Sequence, residues 1–333
     1  MKNPISINRR KFVKLSAAVV AVSGTSAYIP GTGFEPDSWK TAKPAIKLIP
    51  KEDTKDVFKK CGACSHTFFY ILNREFGYPK PVEESASDPL AGGLMLGHQC
   101  GMLWGSALAT GAESFRRNSD QSLAVATTIQ VTRQISDSFY SRAGSLNCND
   151  ITGVNLKSKL GIAKMMVQII FQGGLRNSKC FKLADKWAPE AIECAYIGLA
   201  HSPADIPHPC LSCASEVVKR RGGSEEEIVM ASGFAGGIGL SGLACGALGA
   251  AIWMDTLTLC RKNPGKPGFE FGSSNSPEII KAFNTVTQKE ILCSKITGKY
   301  FNTIREHSDF IKEGGCRNLI NVLSGNNYEL KNE

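Results

Sequence analysis

Aromatic residues make up only 8% of this 333-residue chain, charged residues only 21%, and histidine occurs five times. Low charge beside 42% hydrophobic residues excludes wholesale disorder, because there is apolar surface enough to bury. No P-loop, no Ser–His–Asp order and no Cys-x-x-Cys-His haem attachment site occurs. Alternating β-branched runs are scarce, which argues against a sheet. A formal G-x-G-x-x-G at Gly237, Gly239 and Gly242 has no strand before it and is set aside as a dinucleotide fingerprint. No basic stripe survives either: setting aside Lys2, Arg9, Arg10, Lys11 and Lys14 of the leader takes the formal charge from +9 to +4. Nucleic acid is therefore not expected as a partner.

What the chain has is sulfur and glycine, with 12 cysteines and 33 glycines. It opens on an address. A basic stretch, Arg9-Arg10-Lys11-Phe12-Val13-Lys14, precedes a short apolar run, Leu15 to Val22, and small residues at Thr25-Ser26-Ala27. The run is too short to span a bilayer unaided. The pattern resembles a twin-arginine export signal over residues 1–27, with Asn8 where Ser or Thr is usual. That predicts an exported, periplasmic or otherwise extracytoplasmic protein, touching a membrane only if the signal stays uncleaved. Residues 28–53, with prolines at 30, 36, 44 and 50, read as a tether.

The body is an internal duplication, carried by the cysteines. Cys61-Gly-Ala-Cys64 recurs as Cys210-Leu-Ser-Cys213, and Cys100-Gly as Cys245-Gly. Cys148-Asn-Asp-Ile-Thr-Gly153 recurs as Cys293-Ser-Lys-Ile-Thr-Gly298, and Cys180 follows one Gly-Gly pair as Cys316 follows another. Cys194 and Cys260 have no counterpart. The first repeat spans 54–201 and the second 202–333, joined by the proline-rich Ser202–Pro209.

Hydrophobic spacing is helical. Val57, Phe58, Cys61, Cys64, Phe68, Phe69 and Leu72 predict one amphipathic helix. Leu123, Ile129, Ile135 and Phe139 predict another behind Asp120, and Ser276-Pro277-Glu278 opens its match. The expected fold is all-α, two similar helical bundles in tandem. Ile228 to Met254 carries no charge yet holds seven glycines, and its counterpart contains His98 and Gln99, so it is not read as a membrane span.

Each repeat resembles the C-GCAxxG-C-C family of redox proteins. The pattern is a cysteine opening a helix, a glycine-rich stretch ending in Cys-Gly-Ala-x-x-Gly, and two later cysteines. The first repeat offers Cys64, Gly92-Gly93, Cys100, Cys148 and Cys180; the second offers Cys213, Gly236-Gly237, Cys245, Cys293 and Cys316. Met102 replaces the alanine in one and Ala250 the last glycine in the other. The resemblance extends to the iron–sulfur part of split-Soret cytochromes c, without their haem motif, so covalent haem is not expected. It implies an electron-transfer protein with cysteine-ligated iron–sulfur sites, a carrier or subunit rather than a stand-alone enzyme, serving a redox partner protein. A homodimer is compatible with it.

The chemistry of the residues agrees with that implication and leaves two alternatives open. Four thiolates complete a cluster's terminal coordination, and neighbouring glycines free backbone N–H groups to bond sulfur. Spacings of 36, 48 and 32 residues, then 32, 48 and 23, draw the ligands from different helices. The first alternative is a metal-free thiol–disulfide protein using Cys61/Cys64 and Cys210/Cys213. The second is a structural or binding module stapled by disulfides. Zinc would use tighter knuckles. Beside a cluster, Cys61 and Cys210 are read as auxiliary thiols. His66 is read as a cap or surface group, and His98 as a helix-surface histidine with a metal ligand or a partner of sulfur as the alternative; His201 and His208 are read as solvated linker residues, and Glu225, Glu226 and Glu227 as a solvated first turn. Trp104 is read as packing.

Overall fold

The computed structural model describes residues 50–171, 174–268 and 276–325. The signal over 1–27 and nearly all of the tether lie outside these residues. The described chain is all-α: among these residues the sole extended pairing is an isolated bridge between Gln99 and Asn147.

The first repeat runs α1 (Thr54–Cys61), α2 (Cys64–Phe76), α3 (Pro81–Ala86), α4 (Gly101–Arg117), α5 (Gln121–Ala143), α6 (Cys148–Thr152), α7 (Lys159–Phe171) and α8 (Lys179–Leu199). The second runs α9 (Cys213–Arg220), α10 (Glu225–Ser232), α11 (Gly246–Lys262), α12 (Ser276–Thr287), α13 (Cys293–Thr297), α14 (Ile304–Lys312) and α15 (Arg317–Leu323). The duplication is structural: α4 and α11 are both 17 residues, α6 and α13 both five. The second copy is the trimmed one, with 12 residues in α12 against 23 in α5.

Local chemistry sets the ends. Asp53 caps α1 through the Asp56 N–H, and Asp120 caps α5 through Ser122 and Leu123. The single helix expected across Val57–Leu72 is broken. Gly62 sits at φ 77°, returns its N–H to the Phe58 carbonyl at 2.9 Å, and the chain restarts at Cys64. Only a residue without Cβ takes that left-handed stop cheaply. The break falls inside the first Cys-x-x-Cys, so Cys61 ends one helix and Cys64 begins the next.

α4 is the central rod, buried from Gly101 to Ser114. It packs on α2 and α5 of its own repeat and on α10 of the other, while α3 packs on α11. Since α3 corresponds to α10 and α4 to α11, the interface between repeats is reciprocal. Glycines permit the approach. A Cβ on Gly105 would strike the Ser65 carbonyl of α2, one on Gly111 the Met230 backbone of α10, and one on Gly249 the Trp104 ring. Trp104, Trp187 and Trp253 are fully buried in one core that crosses both repeats. Trp104 does pack, as expected, meeting Phe234 edge-on at 4.6 Å and donating its N–H to the Gln99 carbonyl.

Of the glutamates that open α10, Glu225 is exposed as expected, but Glu226 and Glu227 are not solvated. Glu227 is buried, closes a capping box with Ser224 and pairs with Arg261, and Glu226 meets Lys80, the N-cap residue of α3, at 2.6 Å. The apolar stretch from Ile228 is divided between α10, a glycine-rich loop and α11. No helix among the described residues is long and apolar enough to cross a membrane.

Candidate thiol centres

All eight family-pattern cysteines sit at helix starts. Cys64, Cys148, Cys213 and Cys293 are first residues of α2, α6, α9 and α13. Cys100, Cys245 and Cys316 are the N-cap residues of α4, α11 and α15, and Cys180 lies in the first turn of α8. Helix starts carry unpaired N–H groups and the positive end of the peptide dipole, which favour a thiolate.

In the first repeat these starts converge. The Cys64 and Cys100 thiols hydrogen-bond each other, and Cys148 and Cys180 lie close enough that their charges act on the pair. Within the pair Cys64 is the more acidic thiol. The hydrogen bond from Cys100 draws its pKa down to about 7 against burial, helped by backbone N–H groups of Gly92, Ser65 and Cys64 itself. Cys100, the donor, is pushed well above the ordinary thiol range. Burial, then the neighbouring Cys64 charge, raises Cys148, and the same causes push Cys180 up to about 12.

The second repeat builds the same group from Cys213, Cys245, Cys293 and Cys316. Burial raises Cys213, opposed by backbone N–H groups of Gly236, Ala214, Cys213 and Ala247. Burial also raises Cys245 and Cys293, and pushes Cys316 up to about 12, with the Cys213 charge adding in each case. All twelve cysteines are free thiols.

The glycine-rich stretches form a cradle that periodicity gave no sign of. Gly92, Gly93, Leu94 and Met95 are consecutive left-handed residues, φ 55° to 62°, and Gly236 to Leu240 repeat the turn at φ 57° to 89°. A left-handed turn costs each non-glycine residue about 1–2 kcal/mol, so Leu94, Met95, Ile238 and Leu240 hold strained positions. The turn aims N–H groups inward: Gly92 bonds the Cys64 sulfur as Gly236 bonds the Cys213 sulfur. Successive N–H groups in such a nest bind anions. The same segment fixes the third cysteine, since Cys148 donates to the His98 carbonyl at 2.7 Å and Cys100 to the Leu146 carbonyl at 2.8 Å. In the second repeat Ser294, beside Cys293, donates to the Gly242 carbonyl at 3.1 Å. The two cradles touch: Gln99 Nε2 donates to Ser241 Oγ at 2.7 Å.

The auxiliary thiols part company with the quartets. Cys61 hydrogen-bonds His66, whose Nδ1 is 3.0 Å from Asp88 Oδ1. Burial opposes charge on His66, but Asp88 and then Cys61 outweigh it and raise the imidazole to about 9. His66 is thus no surface residue. Cys210 lies in a separate small core with Ala124, Val125 and Ile129, and burial pushes it up to about 12. His98 is not on a helix surface either: it stands in the loop before α4, its Nε2 buried without a hydrogen-bond partner. His201 and His208 are exposed, as expected.

Each quartet offers sulfur donors alone, with N–H groups aimed at one of the four thiols. A single zinc ion, at about 2.3 Å from each sulfur, needs its ligands gathered round one point. Among the described residues no group of three or more His, Cys, Asp or Glu side chains is spaced to hold a metal ion.

Comparison with known proteins gives one match. Residues 63–192 and 210–324 each match the family described as "Putative redox-active protein (C_GCAxxG_C_C)", which together covers well over half the chain. No curated protein and no solved structure matches.

Proposed function

Because the chain belongs, through two tandem copies, to the C_GCAxxG_C_C redox-active family, we propose that it is an exported electron-transfer protein with one iron–sulfur site in each repeat. Cys64, Cys100, Cys148 and Cys180 would hold the first, and Cys213, Cys245, Cys293 and Cys316 the second. The observation that carries this reading is the twice-built quartet, four thiols from four helix starts with a left-handed nest against the first of them.

A cluster bound there would supply one-electron transfer at a potential set by hydrogen bonds to sulfur, net charge and exposure. The protein's own part is to bind and tune. Gly92 and Gly236 donate backbone N–H bonds to sulfur, which favours the more negative state. Cys100, Cys148, Cys213, Cys245 and Cys293 are buried away from water, while Cys64, Cys180 and Cys316 are half-buried. The Gln99–Ser241 bond and the Trp104–Phe234 contact give the sites a common wall, which supports exchange within one chain. Export rests on the leader, Arg9-Arg10-Lys11-Phe12 before Leu15 to Val22, a route suited to a protein folded around its cofactor.

The contact between the Cys64 and Cys100 thiols favours a second reading, a metal-free dithiol cycling at that pair. Anaerobic purification of the leaderless chain, with a visible spectrum and iron and sulfide counts, separates the two. Iron with acid-labile sulfide, lost one repeat at a time in Cys64→Ser and Cys213→Ser, is expected. Colourless, iron-free protein overturns the cluster reading and moves attention to the dithiol.

A further inference from the structure

The helix α7 presents its apolar face outward. Leu160, Ala163, Lys164, Val167, Ile170 and Phe171 are exposed, and their three/four spacing puts them on one side of the helix. Leu160 is 81% exposed, Ile170 74% and Phe171 86%. Of six large hydrophobic side chains exposed among the described residues, four stand on this face. The main packing partner of α7 is the short turn Leu175–Asn177, and none of its described side chains enters a core cluster. We propose that α7 is a membrane-surface helix, which lays this face into an anionic lipid bilayer and rests there without crossing it.

The second repeat shows that the fold does not require such a face. Between its third and fourth cysteines, where the first repeat has α7, stands α14. That helix is amphipathic in the ordinary sense: it buries His307, Ser308 and Ile311 and exposes Arg305, Glu306 and Lys312. The apolar exterior is therefore a property of α7 itself and not of its place in the repeat.

Charge names the occupant. Residues 151–184 carry six cations, Lys157, Lys159, Lys164, Arg176, Lys179 and Lys182, and no carboxylate. Arg176 pairs with Asp56 of α1, whereas Lys157, Lys164, Lys179 and Lys182 are exposed and make no ion pair among the described residues. The segment's charge exceeds the net +4 of the chain beyond its leader, so the rest of that body is net negative. An apolar helix face flanked by lysines suits the headgroup layer, where acyl chains take the apolar side chains and anionic lipid draws the cations. The 13 residues of α7 extend about 20 Å, too short to span a hydrocarbon core of about 30 Å. Four apolar side chains offer on the order of 500 Å2, below the roughly 800 Å2 per partner of a standard protein interface. A second copy of the chain is accordingly the poorer fit.

The test is hydrogen–deuterium exchange of the full-length chain, read by peptide mass spectrometry with and without lipid vesicles. One set of vesicles is phosphatidylcholine alone, and the other is an equal mixture with phosphatidylglycerol. The peptide spanning α7 is expected to exchange several-fold more slowly on the mixed vesicles than on phosphatidylcholine, with the α14 peptide unchanged. Reading peptides separately keeps lipid binding by the leader apart from binding by α7. The double variant Ile170→Gln, Phe171→Gln is expected to lose the protection. Lys164→Gln and Lys182→Gln are each expected to raise the lipid concentration at half-protection about five-fold. Far-UV circular dichroism checks that each variant folds, and the comparison of vesicles on the unaltered chain stands even if one does not. No protection of α7, equal protection by the two vesicles, or protection that survives in the double variant would overturn the proposal. So would protection without lipid that grows with protein concentration, which would give the face to a second copy. None of these readouts depends on bound iron, so the outcome is separate from the electron-transfer reading.

Discussion

Gly93 and Gly77 share a backbone conformation, φ 62° and 68°, and differ in what surrounds them. A Cβ on Gly77 would meet nothing within 4 Å, whereas one on Gly93 would lie 2.6 Å from both the backbone nitrogen and carbonyl carbon of His98. Alanine at 77 therefore adds only left-handed strain, about 1–2 kcal/mol, less the 0.4–1 kcal/mol or so that alanine removes from the unfolded chain's entropy. The net loss is about 0.5–1 kcal/mol. Alanine at 93 adds overpacking against backbone that cannot rotate away, a further 1–3 kcal/mol or so, for a total of about 2–4 kcal/mol. The atoms pushed belong to the residue whose carbonyl holds Cys148, so the damage reaches the first quartet directly. Urea denaturation followed by far-UV circular dichroism gives the two losses, and bound iron per chain reports on the site. Gly93→Ala is expected to lose several times the stability that Gly77→Ala loses, and the first repeat's iron as well. Gly237→Ala should do the same in the second repeat, because its Cβ would sit 2.5 Å from the Ala244 carbonyl. Equal losses at 77 and 93 would refute the cradle as the source of the constraint.

Other outcomes follow from the same description. His66 is raised to about 9 in the folded chain, so the stability it contributes is complete below its ordinary value near 6.5 and fades as pH climbs through 9. The urea midpoints of wild type and His66→Asn should therefore converge on the alkaline side. His307, fully buried against Phe301, behaves in the opposite way: burial lowers it to about 4, so stability falls as pH drops from about 6.5 towards 4. An acid titration of His307→Asn should be flatter over that span. Trp104→Ala removes a fully buried ring at the interface between repeats and should cost about 3–5 kcal/mol by denaturant melt, with the repeats then unfolding in separate steps.

The helical class, the duplication and the cysteine pairs were legible because each leaves a mark along the chain: apolar spacing near 3.6, ordered repetition, and glycine beside sulfur. The break at Gly62 was not. Apolar spacing runs on through it, since Cys61 and Cys64 are both apolar enough to sustain the pattern. The left-handed turns were hinted at by Gly92-Gly93 and Gly236-Gly237, yet Leu94 and Ile238 continue them, and no propensity predicts a branched residue at positive φ. Asp88 could not have been matched to His66 from 22 residues away. Glu226 and Glu227 misled because a run of acids in a first turn ordinarily faces water, whereas here the partners Lys80 and Arg261 come from elsewhere in the fold.

The reciprocal packing of α3 on α11 and α4 on α10 has a historical reading. Were the repeats separate chains, each would offer its partner the same two helices and receive the same two in return, which is the contact of a two-fold dimer. Gene fusion of such a pair keeps the contact and lifts the obligation that both halves stay alike. A symmetric dimer must accept every substitution twice, at both ends of its axis. The fused chain accepts it once, so one half could acquire His66 and Asp88 around its leading cysteine while the other sealed Cys210 among aliphatic side chains.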